Sequence, residues 1–232
     1  ATPWFISRKL FTFFVYENPS TDDLAPLVDT YVKSGHNMGA VMRTLLLSPQ
    51  FSSPKAYRAR VKSPVEFAVG VYRALNLRGD GTGLPAMVTL MGQAVLDPPN
   101  VAGWPGDKVS AFWLNSGTWM TRLNYVDLLL ARGSIVAKAS TGGSASSQFD
   151  LQGIVNTNNL NSPERFVDYF SSFLLDGMVE SDRRTQLLDY FTTKDISRGG
   201  QYITLTNGQS YPLNRVRGTL YLMMASPEYQ LN

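Results

Sequence analysis

The sequence contains no cysteine and a single histidine, His36, among 232 residues. A structural zinc site needs several cysteine or histidine ligands, and a thiol nucleophile needs a cysteine. A serine triad would have to use His36, which follows a predicted helix C-terminus, and no Gly-x-Ser-x-Gly motif occurs in the chain. These absences exclude structural zinc and thiol chemistry and leave oxygen ligands and carboxylates as the chemically competent groups.

Two further absences concern membranes and nucleic acids. The longest apolar patches, at 10–16 and 126–131, are far shorter than the roughly 18 residues of a membrane span. Charged residues make up 17% of the chain, the net charge is +3, and the densest basic group is only Arg58, Arg60 and Lys62. Nucleic-acid surfaces carry a basic stripe with interleaved aromatic residues. We therefore expect neither a membrane span nor nucleic-acid binding.

Helix-capping residues and hydrophobic periodicity are the strongest local signals. Thr21 before two aspartates, Asn37, and the capping box Ser63-Pro64-Val65-Glu66 each predict a helix start. Further helices are predicted at 84–95, at 116–132, from 162, from 181 and at 214–225. The turn Thr206-Asn207-Gly208 lies between two alternating segments and predicts a hairpin. The predicted fold is mainly α, an irregular multi-helix bundle with one small β-hairpin near residues 201–212.

Composition divides the chain into three parts. Residues 1–132 are predicted to form a helical core domain that carries a loop rich in proline, glycine and tryptophan at 97–115. Its opening segment, 4–16, is apolar nearly all round, which predicts central burial. Residues 133–161 contain a run of small residues and are predicted to be a flexible linker or long loop. Residues 162–232 then form C-terminal helices with the hairpin, packed on the first part.

The 97–115 loop supplies the candidate functional residues. The segment Asp97-Pro98-Pro99-Asn100-Val101-Ala102-Gly103-Trp104-Pro105-Gly106 has three prolines that fix φ and two glycines that permit turns. A rigid loop of this kind either locks neighbouring helices together or presents Trp104 to a partner. The candidate binding residues are Trp104, Trp113, Asn100 and Asn115.

Carboxylates beside this loop are the weak candidates for catalysis. Asp97 and Asp107, with Asp127, are of the type that glycoside hydrolysis requires, and with Asn100 and Asn115 they are also suited to Ca²⁺. No other cofactor or metal is expected. The alternative interpretation is that Asp97 caps a turn, Asn115 caps the following helix and the tryptophans belong to the core.

Several blocks of the sequence resemble the bacterial domain-of-unknown-function 1800 family. These blocks are Ser7-Arg8-Lys9-Leu10 with Phe13-Phe14-Val15, Leu45-Leu46-Leu47-Ser48-Pro49-Gln50-Phe51, Val61-Lys62-Ser63-Pro64-Val65-Glu66-Phe67, Met91-Gly92-Gln93 running into Pro98-Pro99-Asn100-Val101-Ala102-Gly103-Trp104-Pro105, and Met224-Ala225-Ser226-Pro227-Glu228-Tyr229-Gln230. The chain is similar to the C-terminal half of the family's usual length. The resemblance implies a fragment of an exported bacterial protein, which is secreted, periplasmic or at the cell surface.

The resemblance supplies no catalytic residues. The prediction is therefore a non-catalytic structural or interaction module of an exported bacterial protein, whose partner is its own missing N-terminal half or another exported protein. The alternative is a secreted hydrolase that acts on polysaccharide or another polymer through carboxylates near the Trp104 loop, in which case the partner is a polymer or carbohydrate.

Overall fold

A computed structural model describes residues 1–77, 81–132, 149–194 and 200–232, without the side chain of Arg132. The α-helices of these ranges are α1 (Thr2–Phe14), α2 (Thr21–Lys33), α3 (Met38–Leu46), α4 (Pro64–Ala74), α5 (Leu84–Leu90), α6 (Pro105–Lys108), α7 (Ser116–Arg132), α8 (Leu151–Thr157), α9 (Pro163–Leu174), α10 (Ser181–Thr192) and α11 (Leu213–Met224). Two short 3-10 helices, Ser110–Trp113 and Glu228–Gln230, and the strands β1 (Tyr202–Thr204) and β2 (Ser210–Pro212) complete the secondary structure of the described ranges. The predicted mainly α fold with one small hairpin is confirmed.

Helix starts follow the capping residues of the sequence. Ser63 Oγ accepts a hydrogen bond from the Glu66 amide, and the Glu66 carboxylate accepts one from the Ser63 amide, so the predicted capping box opens α4. Asn37 caps α3 in the predicted way. The cap of α2 is Ser20, one residue before the predicted Thr21, because Ser20 also forms a capping box with Asp23.

Helix α5 ends five residues earlier than predicted, at Leu90. Gly92 adopts φ +99°, and the Gln93 amide donates to the Val88 carbonyl oxygen at 3.0 Å. This is the Schellman arrangement, which closes a helix when a residue that tolerates positive φ follows its last turn. The chain consequently leaves the helix before the 97–115 loop begins.

The hairpin forms at the predicted position. Strands β1 and β2 are antiparallel, with Tyr202 opposite Pro212, Ile203 opposite Tyr211 and Thr204 opposite Ser210. Gly208 in the connecting turn has φ +87°, a conformation that glycine adopts without a steric penalty. Ile203 faces inward and is buried, so the hairpin contributes one face to the core.

Hydrophobic side chains of the described residues gather in two clusters. The larger one draws on α4, α5 and α7 to α11 together with the hairpin. The smaller one consists of Phe11, Val15, Tyr16, Leu24, Leu27, Val41 and Leu45, all from residues 11–45. Helices from both sides of the predicted division at 132 thus share a core, whereas α1, α2 and α3 have their own.

The segment predicted as a linker, 133–161, differs from the expectation in its described part. Residues 133–148, which include most of the small-residue run, lie outside the described residues. Helix α8 follows, with Leu151 and Val155 one turn apart and fully buried, and Asp150 Oδ1 accepts a hydrogen bond from the Gly153 amide at 2.8 Å to cap it. Since these apolar residues have partners in the larger cluster, 149–161 is packed structure rather than linker.

The prediction that the opening segment is buried centrally is wrong. In α1 only Ser7 and Phe11 are buried, while Trp4, Phe5, Phe13 and Phe14 are exposed. The helix lies at the surface because a single stripe of it packs on α2 and α3. Apolar composition does not distinguish this arrangement from central burial, because it does not show that the other side of α1 lacks a packed helix among the described residues.

Within the ranges that the structure covers, no helix combines the length and the hydropathy that crossing a bilayer would require.

Candidate functional site

The Trp104 loop contains regular secondary structure, which its sequence did not predict. Pro105 begins α6, and a 3-10 helix follows at Ser110–Trp113. Asn100 closes the turn before them, because its Oδ1 accepts from the Ala102 amide at 2.8 Å and its carbonyl oxygen accepts from the Gly103 amide at 3.0 Å. The Asn100 side chain, a candidate for binding, therefore already has a local structural role.

The two candidate tryptophans lie in different environments. Trp113 is buried, and its indole lies directly against Gly106; a Cβ atom at Gly106 would be only 2.2 Å from the ring. Trp104 is half-buried and precedes the first residue of α6. Trp113 thus packs within the loop and stabilises its conformation. Of the two candidate indoles, Trp104 is the one with exposed surface that a partner could contact.

Asn115 caps helix α7. Its Oδ1 accepts from the Thr118 amide at 3.0 Å, and its own amide donates to Thr118 Oγ1 at 2.9 Å. This reciprocal pair satisfies amides at the start of the helix. The capping interpretation of Asn115 accounts for its position.

The carboxylates of Asp97 and Asp107 are exposed and make no hydrogen bond or ion pair with other described residues. Neither aspartate lines any of the five best-formed pockets among the described residues. Asp127 lies in the wall of a pocket with Tyr190 and Arg217 instead. In the described parts of the chain, no group of three or more His, Cys, Asp or Glu side chains is arranged to hold a metal ion.

His36 is exposed at the end of α2, where its ring lies 4.8 Å from that of Tyr31. Its amide donates to the Tyr31 carbonyl oxygen at 2.8 Å, which helps to close the helix. The residue has φ +69° and a capping role, as its position after Lys33-Ser34-Gly35 predicts.

Exposed apolar side chains surround the Trp104 loop. We call the set Leu90, Val95, Leu96, Val101, Val109 and Phe112 the loop surface. Leu96 is 93% exposed, Val101 fully exposed and Phe112 66% exposed. Single exposed apolar residues are normal, whereas large contiguous apolar patches are typical of interaction sites.

A second exposed apolar set begins beside the first. We call the exposed aromatic residues of α1, Trp4, Phe5, Phe13 and Phe14, its outer face; Phe5 and Phe13 lie opposite the buried Ser7 and Phe11, and Trp4 and Phe14 flank the buried side. The Glu17 carboxylate, three residues after Phe14, accepts a hydrogen bond of 2.7 Å from the Ser110 amide, two residues before Phe112. Ser110 is buried, and its hydroxyl also accepts from the Val61 amide at 3.0 Å. These bonds bring the 3-10 helix that contains Phe112 next to the end of α1.

A pocket of about 550 Å³ forms around the basic residues 58–62. We call it the basic pocket; its wall contains Tyr57, Arg58, Lys62, Gly70, Arg73, Ala74, Phe173, Leu174, Asp176, Glu228, Tyr229, Leu231 and Asn232. Residues 60–62 pair with 230–232 through an antiparallel bridge between Val61 and Leu231. The sequence indicated the basic group, but only the fold brings Arg73 of α4 and the residues after α9 to it.

Lys62 is the central cation of the basic pocket. Its Nζ donates to the Tyr229 carbonyl oxygen at 2.7 Å and lies 4.2 Å from the centre of the Tyr229 ring. Burial is the largest cause that lowers the pKa of Lys62 to about 8; the Arg58 and Arg122 guanidinium groups lower it further, and the Asp176 and Glu66 carboxylates act in the opposite direction. The two guanidinium groups together outweigh the two carboxylates.

Arg122 is a buried residue that sequence analysis missed. Its Nη2 donates to the Lys62 carbonyl oxygen at 2.8 Å and its Nη1 to Gln230 Oε1 at 3.2 Å, while the guanidinium lies over the Phe67 ring. Burial lowers the pKa of Arg122 to about 10. The one available signal was its place on the buried stripe of α7, one turn before Val126.

These features define a mainly α protein with an exposed apolar surface and a basic pocket, in which Asp97 and Asp107 line none of the five pockets. The chain belongs to the family described as "Protein of unknown function (DUF1800)", whose model matches residues 1–231. Comparisons with curated proteins and with solved structures gave no match.

Proposed function

We propose that this chain is a non-catalytic interaction module of an exported bacterial protein. The observation that carries the proposal is the exposed apolar surface made by the outer face of α1 and the loop surface. Aromatic residues dominate its α1 part, and aromatic side chains provide large contact areas in protein interfaces.

Hydrogen bonds hold the two halves of this surface at a fixed position. Arg60 Nη1 donates to the Phe13 carbonyl oxygen at 2.8 Å, and its guanidinium lies 5.1 Å from the centre of the Phe13 ring. The Glu17 to Ser110 bond ties the end of α1 to the 3-10 helix. A surface that is ordered before binding loses less conformational entropy when a partner docks.

The partner that we propose is the helical region that family resemblance places ahead of this one in the same polypeptide. The exposed residues of α1 recur at helical spacing, with Phe5 and Phe13 two turns apart and Lys9 between them. Lys9 lies over the Phe5 ring at 4.9 Å, so this ring offers a second helix only the surface that the ammonium group leaves uncovered. Helices pack by interlocking such stripes.

Site-specific photo-crosslinking tests this partner. A benzoylphenylalanine placed at Phe13, in the polypeptide of natural length and in its native host, is expected to cross-link to residues of the same polypeptide outside 1–232. Tyr202, an exposed aromatic on β1, is the matched control position and is expected to give no such product.

The cross-linking outcomes separate the proposal from its competitors. A product with a different exported protein, specific to position 13, would refute the intramolecular partner. Equal yields from positions 13 and 202 would refute the interaction surface as a whole.

The hydrolase alternative requires two acids in a concave site beside an accessible indole. Asp97 and Asp107 lie outside the five pockets, so no observation favours this function over the interaction module.

A further inference from the structure

We propose that the basic pocket binds a small organic oxyanion, in which a carboxylate or phosphate group is attached to an apolar body. The pocket is lined by none of the loop-surface residues, so this proposal is independent of the interaction module.

The charges in the pocket wall do not balance one another. The Asp176 carboxylate accepts a hydrogen bond of 3.0 Å from the Tyr57 hydroxyl and lies 3.5 Å from the Arg58 guanidinium. Glu228 forms an ion pair with Arg183, which is not part of the wall. Both acids are therefore already partnered. Lys62 and Arg73 form no ion pair with a carboxylate of the described residues, which leaves positive charge facing the cavity.

The cations are held in place by the fold. Arg58 Nη2 donates to the Leu175 carbonyl oxygen at 2.8 Å, and only 12% of its side chain is exposed. Lys62 is held by the Tyr229 carbonyl oxygen, and Arg73 projects from the regular helix α4. Arginine and lysine donors on fixed positions are the usual partners of carboxylate and phosphate groups.

The electrostatic state of Lys62 agrees with this assignment. Its lowered pKa has burial and the neighbouring guanidinium groups as causes, so a bound anion would relieve the repulsion that these groups exert. The protonated amine would then be favoured.

Pocket size and lining determine the kind of molecule that fits. A cavity of about 550 Å³ is in the range of small-molecule sites and leaves room beyond a bare phosphate ion. Phe173, Leu174 and Tyr229 supply an aromatic and aliphatic wall for the rest of the ligand. This combination favours an aromatic or branched acid over an inorganic ion.

Calorimetric titration with phenyl phosphate, benzoate, inorganic phosphate and uncharged benzamide tests the proposal. We expect phenyl phosphate or benzoate to bind, inorganic phosphate to bind at least tenfold more weakly, and benzamide to give no heat. Whichever of the two acids binds more tightly identifies the preferred oxyanion. Arg73→Glu is expected to weaken that binding at least tenfold, and since Arg73 is exposed, the variant keeps the fold. Arg43→Glu, on α3, is the charge-matched control and is expected to leave the affinity unchanged.

Amine labelling gives a second readout. At pH 8, acetic anhydride is expected to modify Lys62 at least threefold more slowly when the tighter-binding acid is present, with the exposed Lys33 unaffected. Absence of binding by both acids at millimolar concentration, or equal binding to wild type and Arg73→Glu, would overturn the proposal. Protection of Lys33 to the same degree as Lys62 would also overturn it.

Discussion

Helices α1 to α3 and the body of the protein, from α4 onward, differ in how they use their hydrophobic residues. In residues 2–47 seven hydrophobic side chains form the small cluster, while eight large ones are exposed: Trp4, Phe5, Phe13, Phe14, Val32, Met38, Leu46 and Leu47. In the described part of the body, twenty-nine buried hydrophobic residues form the main cluster and twelve large hydrophobic side chains are exposed, six of which belong to the loop surface.

This difference separates residues that stabilise the chain from residues that are available to a partner. The body buries its aromatic residues against one another; Phe166, for example, contacts Phe170 and Phe191 with ring centres 4.7 and 5.0 Å apart. Helices α1 to α3 instead leave aromatic side chains exposed, and hydrogen bonds from Arg60 to Phe13 and from Ser110 to Glu17 attach this region to the rest of the chain. We therefore expect the two regions to respond differently to perturbation.

The largest effect is expected from Phe166→Ala. Removing this fully buried ring leaves a cavity in the main cluster, so the free energy of unfolding should fall by about 4 kcal/mol. Phe11→Ala is the matched change in the small cluster. In this variant the hydrogen exchange of the α1 to α3 amides should accelerate, while the amides of the body keep their protection from exchange. Urea unfolding and hydrogen exchange measure both. Equal loss of protection in the body for both variants would contradict the separation of the clusters.

Arg122→Ala tests the polar link between α7, Lys62 and Gln230. The variant loses two hydrogen bonds and leaves a cavity, which should lower the unfolding free energy by about 3 kcal/mol. Arg122→Met, which retains most of the volume and removes a buried charge, should cost only about 1 kcal/mol. Urea titrations followed by circular dichroism measure the difference, and an equal cost for both variants would show that volume is not the deciding factor.

Gly106→Ala probes the packing within the 97–115 loop, where the Trp113 indole lies against Gly106. A Cβ atom there would meet the Trp113 indole at 2.2 Å, so we expect a loss of about 2 kcal/mol in thermal or urea unfolding. Gly70→Ala is the control, because a Cβ atom on this helical residue meets nothing within 4 Å and should stabilise α4 by about 0.5–1 kcal/mol. Destabilisation of the same size at both positions would refute the close packing of Trp113 on Gly106.

Lys62 should make the stability of the body depend on pH. Its pKa is about 8 in the folded protein and lies near 10.5 when unfolded, so the unfolded chain binds more protons between these values. The free energy of unfolding should therefore rise with pH from 7.5 to 9.5, by about 1 kcal/mol after allowance for the partial exposure of the side chain. Lys62→Met should flatten this rise. A fall in the free energy of unfolding of the wild-type protein over the same pH range would contradict the lowered pKa of Lys62.

Local features of the fold were predictable from sequence. The capping box at Ser63, the cap at Asn37 and the hairpin turn at Gly208 each depend on residues within a few positions of one another. The early end of α5 depends on Gly92, because hydrophobic periodicity extends past this residue while its positive φ closes the helix.

Features that depend on distant partners were not predictable. Whether α1 is central or peripheral is decided by what packs on its second side, and the helix at Leu151–Thr157 is stabilised by residues far along the chain. The basic pocket likewise requires the 60–62 segment to pair with 230–232. For the candidate site, both roles proposed for Asn115 were compatible with its position before a helix, and the hydrogen bonds to Thr118 support the capping one.

Hydrogen exchange of α1 tests the central claim, that its aromatic outer face is a surface for a partner. In residues 1–232 alone, the α1 amides should be protected much less than those of α7 and α9, and in the polypeptide of natural length their protection should rise at least tenfold. Protection of α1 that already equals that of α7 in the isolated chain, and that does not change in the longer polypeptide, would contradict the account.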